Sequence, residues 1–481
     1  ETAARDEVLL QLRSQTGRVM SGGYRLGITC PFCGGKLEID EANRTTICSH
    51  CASVLKISRS GGVPQYYVES HLTTREVKFL IDRHLKKTGQ PLVSTWHTLE
   101  QVYLPFWRVT GTVFKIECPH HEADFDIPGK ASFDLDSRDP IEVKITPREV
   151  SFCAAEQQRW SLTSLGIRTQ VIKLRPVDAE FQESAYLIAP SVEVTQARQR
   201  FDKSAESVAH LGYMGFSHLQ MHSVGVETMM IYFPVWYVDF ANSEGRQIAQ
   251  FDAVAKRVVD VSLKDFELPE REAITVKDAA VEVTAHRCPN CGADLPVADS
   301  VSYYCDNCWR LYVGSPTGYR QLKVQVPVET KESDRLFPFW VFDLESSDWP
   351  EKGNFLDTLT CCQLQEERFF MPAFRIGNPA RILRLVKHFN RRDYGLKFDP
   401  LPDGHYDFVN VHVTPEKAAE LMMPLVKAIE AKQGYMVVKG ELRQTPTLLP
   451  PELIWLPFVP DRYFLRDEIT GATIEKAAVK I

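Results

Sequence analysis

The chain has 481 residues, which at about 150 residues per domain predicts roughly three structural units. Hydrophobic residues make up 44% of the chain and charged residues 25%, a globular composition that excludes a mostly disordered protein. The formal net charge of −7, from 63 acidic and 56 basic residues, excludes a protein-wide basic field for nucleic acid or anionic lipid.

The predicted elements of the first half begin with a short N-terminal amphipathic helix, followed by a first cysteine unit. Apolar residues at helical spacing between Leu72 and Lys87 predict a helix, which Gly89 and Pro91 end. The following segments are predicted as strands at 102–116, 171–174 and 229–240 and as helices at about 151–165 and 194–211.

The second half continues, after a second cysteine unit, with a strand-rich segment and a basic helix at 379–390. The clearest helix follows: Thr414 is its expected N-cap, Pro415 lies in its first turn and Gly434 ends it. Pro424 is expected to kink this helix. Strands are predicted at 435–439, at 453–458 and in a hairpin over 463–478.

A membrane span is not predicted. The longest apolar stretch, 229–241, contains Pro234 and Asp239, which favours a buried strand. The chain begins at Glu1 rather than Met, so a removed targeting segment is left open. Four cysteines without a partner motif still favour the cytoplasm. They are Cys118, Cys153, Cys361 and Cys362.

Eight of the 12 cysteines form four C-x-x-C pairs. The pairs are Cys30/Cys33, Cys48/Cys51, Cys288/Cys291 and Cys305/Cys308. Fourteen residues separate the first two pairs, and thirteen separate the last two. A disulfide-stapled secreted domain would be far shorter and denser in cysteine, so these pairs predict metal ligands in a reducing compartment.

This spacing is typical of a zinc ribbon, in which a hairpin brings two tight turns together as a tetrahedral four-thiolate site. Gly34 and Gly292 stand where such a turn needs a positive φ. We expect two zinc ions in structural roles, because four thiolates leave no position for water. Iron of the rubredoxin type is the alternative. His50 is the other residue that could compete for a ligand position in the first unit.

The two cysteine units begin alike, with C-P-F-C-G-G-K-L-E-I at 30–39 and C-P-N-C-G-A-D-L-P-V at 288–297. Downstream of them a Pro-aromatic phrase recurs at 104–109, 233–238 and 337–342, with looser echoes at 371–376 and 456–459. Two diverged copies of a ribbon followed by an α+β body account for this pattern.

The Pro-aromatic phrases lie in strand-like runs. Proline in such a run indicates an edge position or a bulge, and the Trp is expected to anchor the sheet to a helix layer. A stacking surface for bases or for a ligand is the alternative interpretation.

One local concentration of basic residues spans 375–397. Its candidate contacts with an anion or nucleic acid are Arg381, Arg384, Lys387, Arg391 and Arg392. Helical spacing places most of them along one face, opposite Ile382, Leu385, Val386 and Phe389. Such a face can bind phosphates, or it can be solvated or meet an acidic protein surface.

Enzyme signatures are absent from the sequence, which has no P-loop, dinucleotide-binding glycine motif, H-E-x-x-H or G-x-S-x-G. No catalytic residue is therefore predicted.

The two C-P-x-C-G … C-x-x-C units, with the L-P-F-W and F-P-V-W phrases that follow them, resemble bacterial tandem zinc-ribbon proteins of the TFIIB-type or primosomal-helicase-like kind. The resemblance is specific over the ribbons and loose elsewhere. It implies a cytoplasmic zinc-binding protein of poorly defined role without the helicase motor.

Together these observations predict an α+β protein with two four-cysteine zinc ribbons, each followed by an antiparallel-sheet α+β body. The expected divisions are a lead-in at 1–25, ribbon 1 at 26–70, body 1 at 71–265, a linker at 266–284, ribbon 2 at 285–326 and body 2 at 327–481.

The expected function is that of a non-catalytic zinc-binding adaptor or scaffold subunit, which presents surfaces to a protein partner or a larger assembly. One alternative is a nucleic-acid-binding accessory factor that uses the ribbons and the basic stretch at 375–397. A second alternative is an enzyme with an unrecognised site between the two bodies.

Overall fold

The computed structural model describes residues 24–41, 43–59, 62–119, 142–155, 160–165, 172–210, 216–262, 267–269, 271, 281–315, 318–331, 334–344, 352–376, 379–401, 404–432 and 451–479. These residues form a mixed α+β structure that is mostly sheet, with six α-helices. None of these helices combines the length and apolar character needed to cross a membrane. The predicted N-terminal helix and the predicted strand at 435–439 lie outside the described residues.

The first half of the chain contains twelve described strands and three helices. The strands are β1 (Arg25–Thr29), β2 (Lys36–Asp40), β3 (Thr45–Ile47), β4 (Val54–Arg59), β5 (Gln65–Val68), β6 (Thr95–Pro119), β7 (Glu142–Cys153), β8 (Lys173–Pro176), β9 (Tyr186–Leu187), β10 (Phe216–Asn242), β11 (Gly245–Asp252) and β12 (Arg257–Ser262). The helices are α1 (Thr74–Thr88), α2 (Ala179–Ser184) and α3 (Val194–His210).

The second half contains the remaining described elements. The strands are β13 (Val281–Ala285), β14 (Ser302–Cys305), β15 (Arg310–Ser315), β16 (Gly318–Leu322), β17 (Gln325–Pro327), β18 (Arg335–Asp343), β19 (Arg368–Pro372), β20 (Phe398–Pro400), β21 (Asp407–Phe408), β22 (Glu452–Pro460), β23 (Phe464–Asp467) and β24 (Thr473–Glu475). The helices are α4 (Lys352–Cys361), α5 (Pro379–Asn390) and α6 (Pro415–Lys432), with a 3₁₀ turn at Lys476–Ala478.

The predicted helices at 72–87, 194–211, 379–390 and 415–434 are confirmed as α1, α3, α5 and α6. In α1, Thr73 and Glu76 form a reciprocal capping box, and Gly89 ends the helix in the left-handed conformation at φ 72°. Pro424 lies inside α6, and the kink expected there stays a prediction.

The predicted helix at 151–165 is wrong. Residues 151–153 end β7, where Cys153 lies opposite Phe106 of β6. Phe152 and Cys153 are both buried and enter different apolar clusters, one on each side of the sheet. A run that is apolar on both faces suits a covered strand, so the pairing with β6 overrides the local helical periodicity.

The first body is a ten-stranded sheet in which β10 pairs antiparallel with β6 along almost its whole length. The sheet order is β12-β11-β10-β5-β8-β1-β2, and β6 also pairs with β7 and β9. The β1–β2 hairpin, which carries the first cysteine pair between its strands, is thus continuous with the sheet of the body.

The second body is an eight-stranded sheet with the order β19-β18-β22-β17-β20. In addition, β21 pairs with β18, and β23 pairs with both β22 and β24. Two three-stranded sheets, β13-β4-β3 and β14-β15-β16, complete the described strands.

The two bodies share a common pairing scheme. The central pair β10–β6 corresponds to β22–β18, and both pairs are antiparallel. Parallel β9 beside β6 corresponds to parallel β21 beside β18, and parallel β5 beside β10 corresponds to parallel β17 beside β22. The antiparallel partners β7, β8, β11 and β12 correspond in chain order to β19, β20, β23 and β24.

The register of the Pro-aromatic phrases is also the same in both bodies. Pro105 lies opposite Tyr232, two residues before Pro234. Pro338 lies opposite Trp455, two residues before Pro457.

These prolines lie on central strands, so the prediction of edge positions or bulges is wrong. On β6 the outer partner changes from β9 at Tyr103 to β7 at Phe106, and Pro105 lies between them. The Pro105 carbonyl accepts the Ala154 N–H on that outer side. In a β-strand the backbone nitrogen and the carbonyl oxygen of one residue point to the same neighbouring strand. The Pro105 nitrogen therefore faces the gap between β9 and β7, where no carbonyl needs a donor, so the absence of an N–H costs no hydrogen bond between strands.

In two of the three phrases the Trp anchors its sheet through a hydrogen bond to the segment that enters a helix, whereas Trp236 packs in the apolar cluster of α1 and its Nε1 has no hydrogen-bond partner among the described residues. Trp107 Nε1 donates to the Val192 carbonyl over 2.7 Å, just before α3. Trp340 Nε1 donates to the Val413 carbonyl over 2.8 Å, just before α6.

The far end of the antiparallel pair β6–β10 packs against the second body. Phe114 and Val224 belong to the same apolar cluster as the buried residues of α6. The Gly225 N–H donates to a Glu420 carboxylate oxygen over 2.6 Å, and Lys417 Nζ lies 2.6 Å from Glu227 Oε1. The long β6–β10 strand pair therefore fastens one body to the other.

We predict that Trp107→Phe and Trp340→Phe each lower the free energy of unfolding by about 1–3 kcal/mol, because each leaves a buried carbonyl without its donor. Chemical denaturation in the presence of zinc measures the change. Tyr463→Phe, which removes one hydroxyl from an exposed ring, is the control. Unchanged unfolding of both Trp variants would contradict the anchoring role.

Candidate metal centres

The eight paired cysteines form two clusters of four. In the first cluster, Cys30 Sγ lies 3.8 Å from Cys51 Sγ, and Cys33 Sγ lies 3.7 Å from Cys48 Sγ. All four sulfur atoms lie within 4.8 Å of one another.

The second cluster has the same geometry. Cys288 Sγ lies 3.6 Å from Cys308 Sγ, and Cys291 Sγ lies 3.6 Å from Cys305 Sγ. These four sulfur atoms also lie within 4.8 Å of one another. Every sequence-predicted metal ligand is thus brought together with its three expected partners.

The sulfur separations match a tetrahedral thiolate site. Zinc–sulfur bonds of about 2.3 Å in a tetrahedron place neighbouring sulfur atoms about 3.8 Å apart. A disulfide would require about 2.05 Å, and all eight thiols are free. Both donor sets therefore fit a soft metal ion that is bound by four sulfurs.

Each cysteine pair sits on the same kind of turn. The carbonyl of the first cysteine accepts the N–H four residues later, at Gly34, Ala52, Gly292 and Trp309. All four of these residues are left-handed, with φ between 55° and 75°. The sequence predicts the positive φ at the two glycines, Gly34 and Gly292. In the other two turns Ala52 and Trp309 adopt the same conformation, which strains the backbone of a residue that has a side chain.

The thiols titrate unevenly within each cluster. The hydrogen bond between Cys51 and the Ser53 hydroxyl is the first of several contacts that lower the pKa of Cys51 to about 6. Burial raises the pKa of Cys305 to about 12, whereas the Asn307 side chain lowers that of Cys291. Four sulfurs this close cannot all ionise beside one another without a cation, and a divalent metal ion removes that repulsion.

His50 does not join the first cluster. Its Nε2 lies 3.2 Å from the Lys36 carbonyl oxygen, and its ring lies over Gly35, where a Cβ would overlap it. His50 therefore does not compete for a ligand position, and the four cysteines suffice without it. The lack of a side chain at Gly35 leaves the space that the His50 ring occupies.

The two cysteine units pack against each other. Strand β13, which leads into the second unit, pairs antiparallel with β4 of the first and extends the sheet β4-β3. Residues 281–284, at the end of the segment predicted as a linker, are thus part of a sheet. Thr45 Oγ1 donates to the Ala298 carbonyl over 3.0 Å across the same junction.

A buried lysine fixes this junction. Lys56 Nζ donates to the carbonyls of Ser315 and Gly318, both over 2.6 Å, and lies 4.4 Å from the centre of the Tyr319 ring. The Tyr319 hydroxyl contacts His286 Nδ1. Burial lowers the pKa of His286 to about 4, which keeps this ring neutral. Sequence reasoning missed Lys56 and His286, since neither belongs to a spaced motif.

A second buried group joins the first cysteine unit to its body. Arg108 on β6 pairs with Glu41 just after β2 and with Glu149 Oε2 at 2.8 Å, and its guanidinium lies over the Tyr24 ring. Such a buried triad is expensive to break, because each partner would be left uncompensated.

The predicted basic face on α5 is only partly available. Arg381 pairs with Glu475, whereas Arg384, Arg391 and Arg392 are exposed and Lys387 is half-buried. Arg392 also lies over the Tyr394 ring. The buried face of the helix contains Leu385, Val386 and Phe389, as expected, together with Leu383 and Asn390, whereas Ile382 is only half-buried.

No protein-family model, no curated protein and no solved structure matches this chain. The interpretation of the two clusters therefore rests on their own chemistry.

We predict two metal ions per chain, measured by elemental analysis of protein purified without added metal. The double variants Cys30→Ser/Cys33→Ser and Cys288→Ser/Cys291→Ser should each retain one, because each removes half of one thiolate set. Cys362→Ala, a buried cysteine outside both clusters, should retain two. Near-zero metal in the wild type, or metal content unchanged in both double variants, would contradict the assignment.

Proposed function

We propose that the protein is a non-catalytic zinc-binding adaptor or scaffold subunit, whose metal-centred ribbons present surfaces to a protein partner. The observation that carries the proposal is a large exposed aromatic ring beside each cluster. Phe32, inside the first C-x-x-C pair, is 54% exposed, and Trp309, directly after the last cysteine, is 48% exposed.

The Trp309 position is the more informative of the two. Its backbone has φ 55°, a conformation that is uncommon for a bulky residue and costs about 1–3 kcal/mol. The turn that carries Cys305 and Cys308 holds this strained backbone, while about half of the Trp309 side chain stays exposed to solvent. Exposed Trp and Phe rings on a rigid support are typical of the residues that dominate protein–protein interfaces.

Zinc fits both clusters better than iron. Rubredoxin-type iron is expected to have Pro and Gly around both cysteine pairs, and the second pair of each unit has neither. The tetrahedral sulfur geometry supports either metal, so this choice rests on the turn sequences. The family that the ribbons resemble, the bacterial tandem zinc-ribbon proteins, has the same expected metal and location.

Internal duplication of a ribbon and a body is part of the proposal. The matched strand pairings, the identical offset of the paired prolines and the equivalent Trp hydrogen bonds support it. A buried Asp also ends the strand that follows the second central strand of each body, Asp252 at the end of β11 and Asp467 at the end of β23. Asp252 accepts the N–H groups of Val254 and Ala255, and Asp467 accepts those of Ile469 and Thr470.

A cytoplasmic location is part of the proposal, and the same chemistry supports it. Cys153 and Cys362 are buried free thiols, and the metal-binding thiolates need a reducing compartment to avoid disulfide formation.

Affinity purification from a nuclease-treated native extract tests the adaptor role. We expect a protein partner to co-purify stably with the wild-type chain and to be lost with the double variant Phe32→Ser/Trp309→Ser, because the interface loses both aromatic anchors. Tyr463→Ser, at a ring that is 63% exposed outside the ribbons, should retain the partner. Recovery of the wild type only as a free monomer would argue against an adaptor.

A further inference from the structure

A cavity of about 290 Å³ lies between the second cysteine unit and the second body. One wall comes from β14 and the residue that follows Cys305, and the other from residues 405–410 with Trp455 of β22. This volume is near the lower end of the range of about 300–1,000 Å³ for small-molecule sites.

The inner surface of the cavity is aromatic. Tyr303, Tyr406 and Trp455 are buried, and Trp455 is only 1% exposed. Phe408 lies beside them, with its ring centre 4.7 Å from that of Tyr304 and 5.8 Å from that of Trp455. The faces of such rings carry the negative part of the aromatic quadrupole and attract cations.

The rim of the cavity is acidic and polar. Asp306, His405, Asp407 and Asn410 line it and are exposed, and among the residues that the structure describes no Lys or Arg lines it. Arg335 Nε lies 3.1 Å from Asp407 and offsets part of its charge. Asp306 has no ion pair with any residue that the structure describes.

Two tyrosine hydroxyls add acceptors. The Tyr303 hydroxyl donates to the Ser300 carbonyl over 2.7 Å, and the Tyr304 hydroxyl donates to the Gly404 carbonyl over 2.5 Å. Since each hydroxyl hydrogen is already used, the remaining lone pairs can only accept. The adjacent thiolates around a divalent metal ion would add further negative charge.

We propose that this cavity binds a small organic cation through its ammonium group. The aromatic rings that line the cavity would contact the charged group, and the Asp306 carboxylate would lie beside it. Aromatic faces with a nearby carboxylate are the established chemistry for ammonium recognition, and the described part of the lining has no Lys or Arg to offer an anion a counter-charge. The site goes beyond the adaptor role and does not depend on it.

Isothermal titration calorimetry of the zinc-loaded full chain tests the site with choline as the probe. The neutral isostere 3,3-dimethyl-1-butanol has the same shape without the charge. We expect choline to bind at least tenfold more tightly than the isostere, because only the cation gains from the rings and the carboxylate. Equal affinities for the two compounds, or no binding of choline, would overturn the proposal.

Variants locate the binding. Asp306→Asn and Phe408→Leu should each weaken choline binding at least fivefold, the first by removing the charge and the second by removing a ring. Glu329→Gln, at an exposed acid outside the cavity, should bind choline like the wild type. Zinc content and circular dichroism confirm that each variant is folded, and unchanged binding by both folded cavity variants would also overturn the proposal.

Discussion

The close approach of four sulfur atoms at two places in the chain is the constraint on which the rest of the structure depends. Within 4.8 Å of one another, four thiolates are stable only around a cation. The apolar cluster around the second site is small, with Cys288, Leu295, Tyr303, Cys305 and Tyr312 as its buried members. A core of that size is small for a unit that folds alone, and metal–thiolate bonds at the cluster would supply the missing free energy, for which about 10–16 kcal/mol is typical.

The two cysteine units contact each other, and the first unit also contacts its body. The first is continuous with its body through the β1–β2 hairpin and the Arg108 triad, and it joins the second through β13 and Lys56. The antiparallel pair β6–β10 then reaches the second body. The strained turn that carries Trp309 and the strand β14 at the cavity wall both belong to the second cysteine unit, so a change in its four-sulfur geometry would act on both.

The cysteine clusters and the main helices could be predicted from the sequence, because their signals are local. Spacing alone placed all eight thiols, and periodicity placed α5 at its observed bounds. The failures have a common physical cause: at Cys153 and Pro105, the partner strand across the sheet decides the structure. Lys56 and the cavity could not be found for the same reason, since their partners lie more than a hundred residues away along the chain or in separate segments.

X-ray absorption spectroscopy at the zinc edge tests the central claim most directly, because it reports the atoms bonded to the metal in the intact protein. We predict a first shell of four sulfur atoms at about 2.3 Å for both sites, without nitrogen or oxygen. A first shell that contains imidazole nitrogen or water oxygen, or a protein without zinc, would contradict two closed four-thiolate centres.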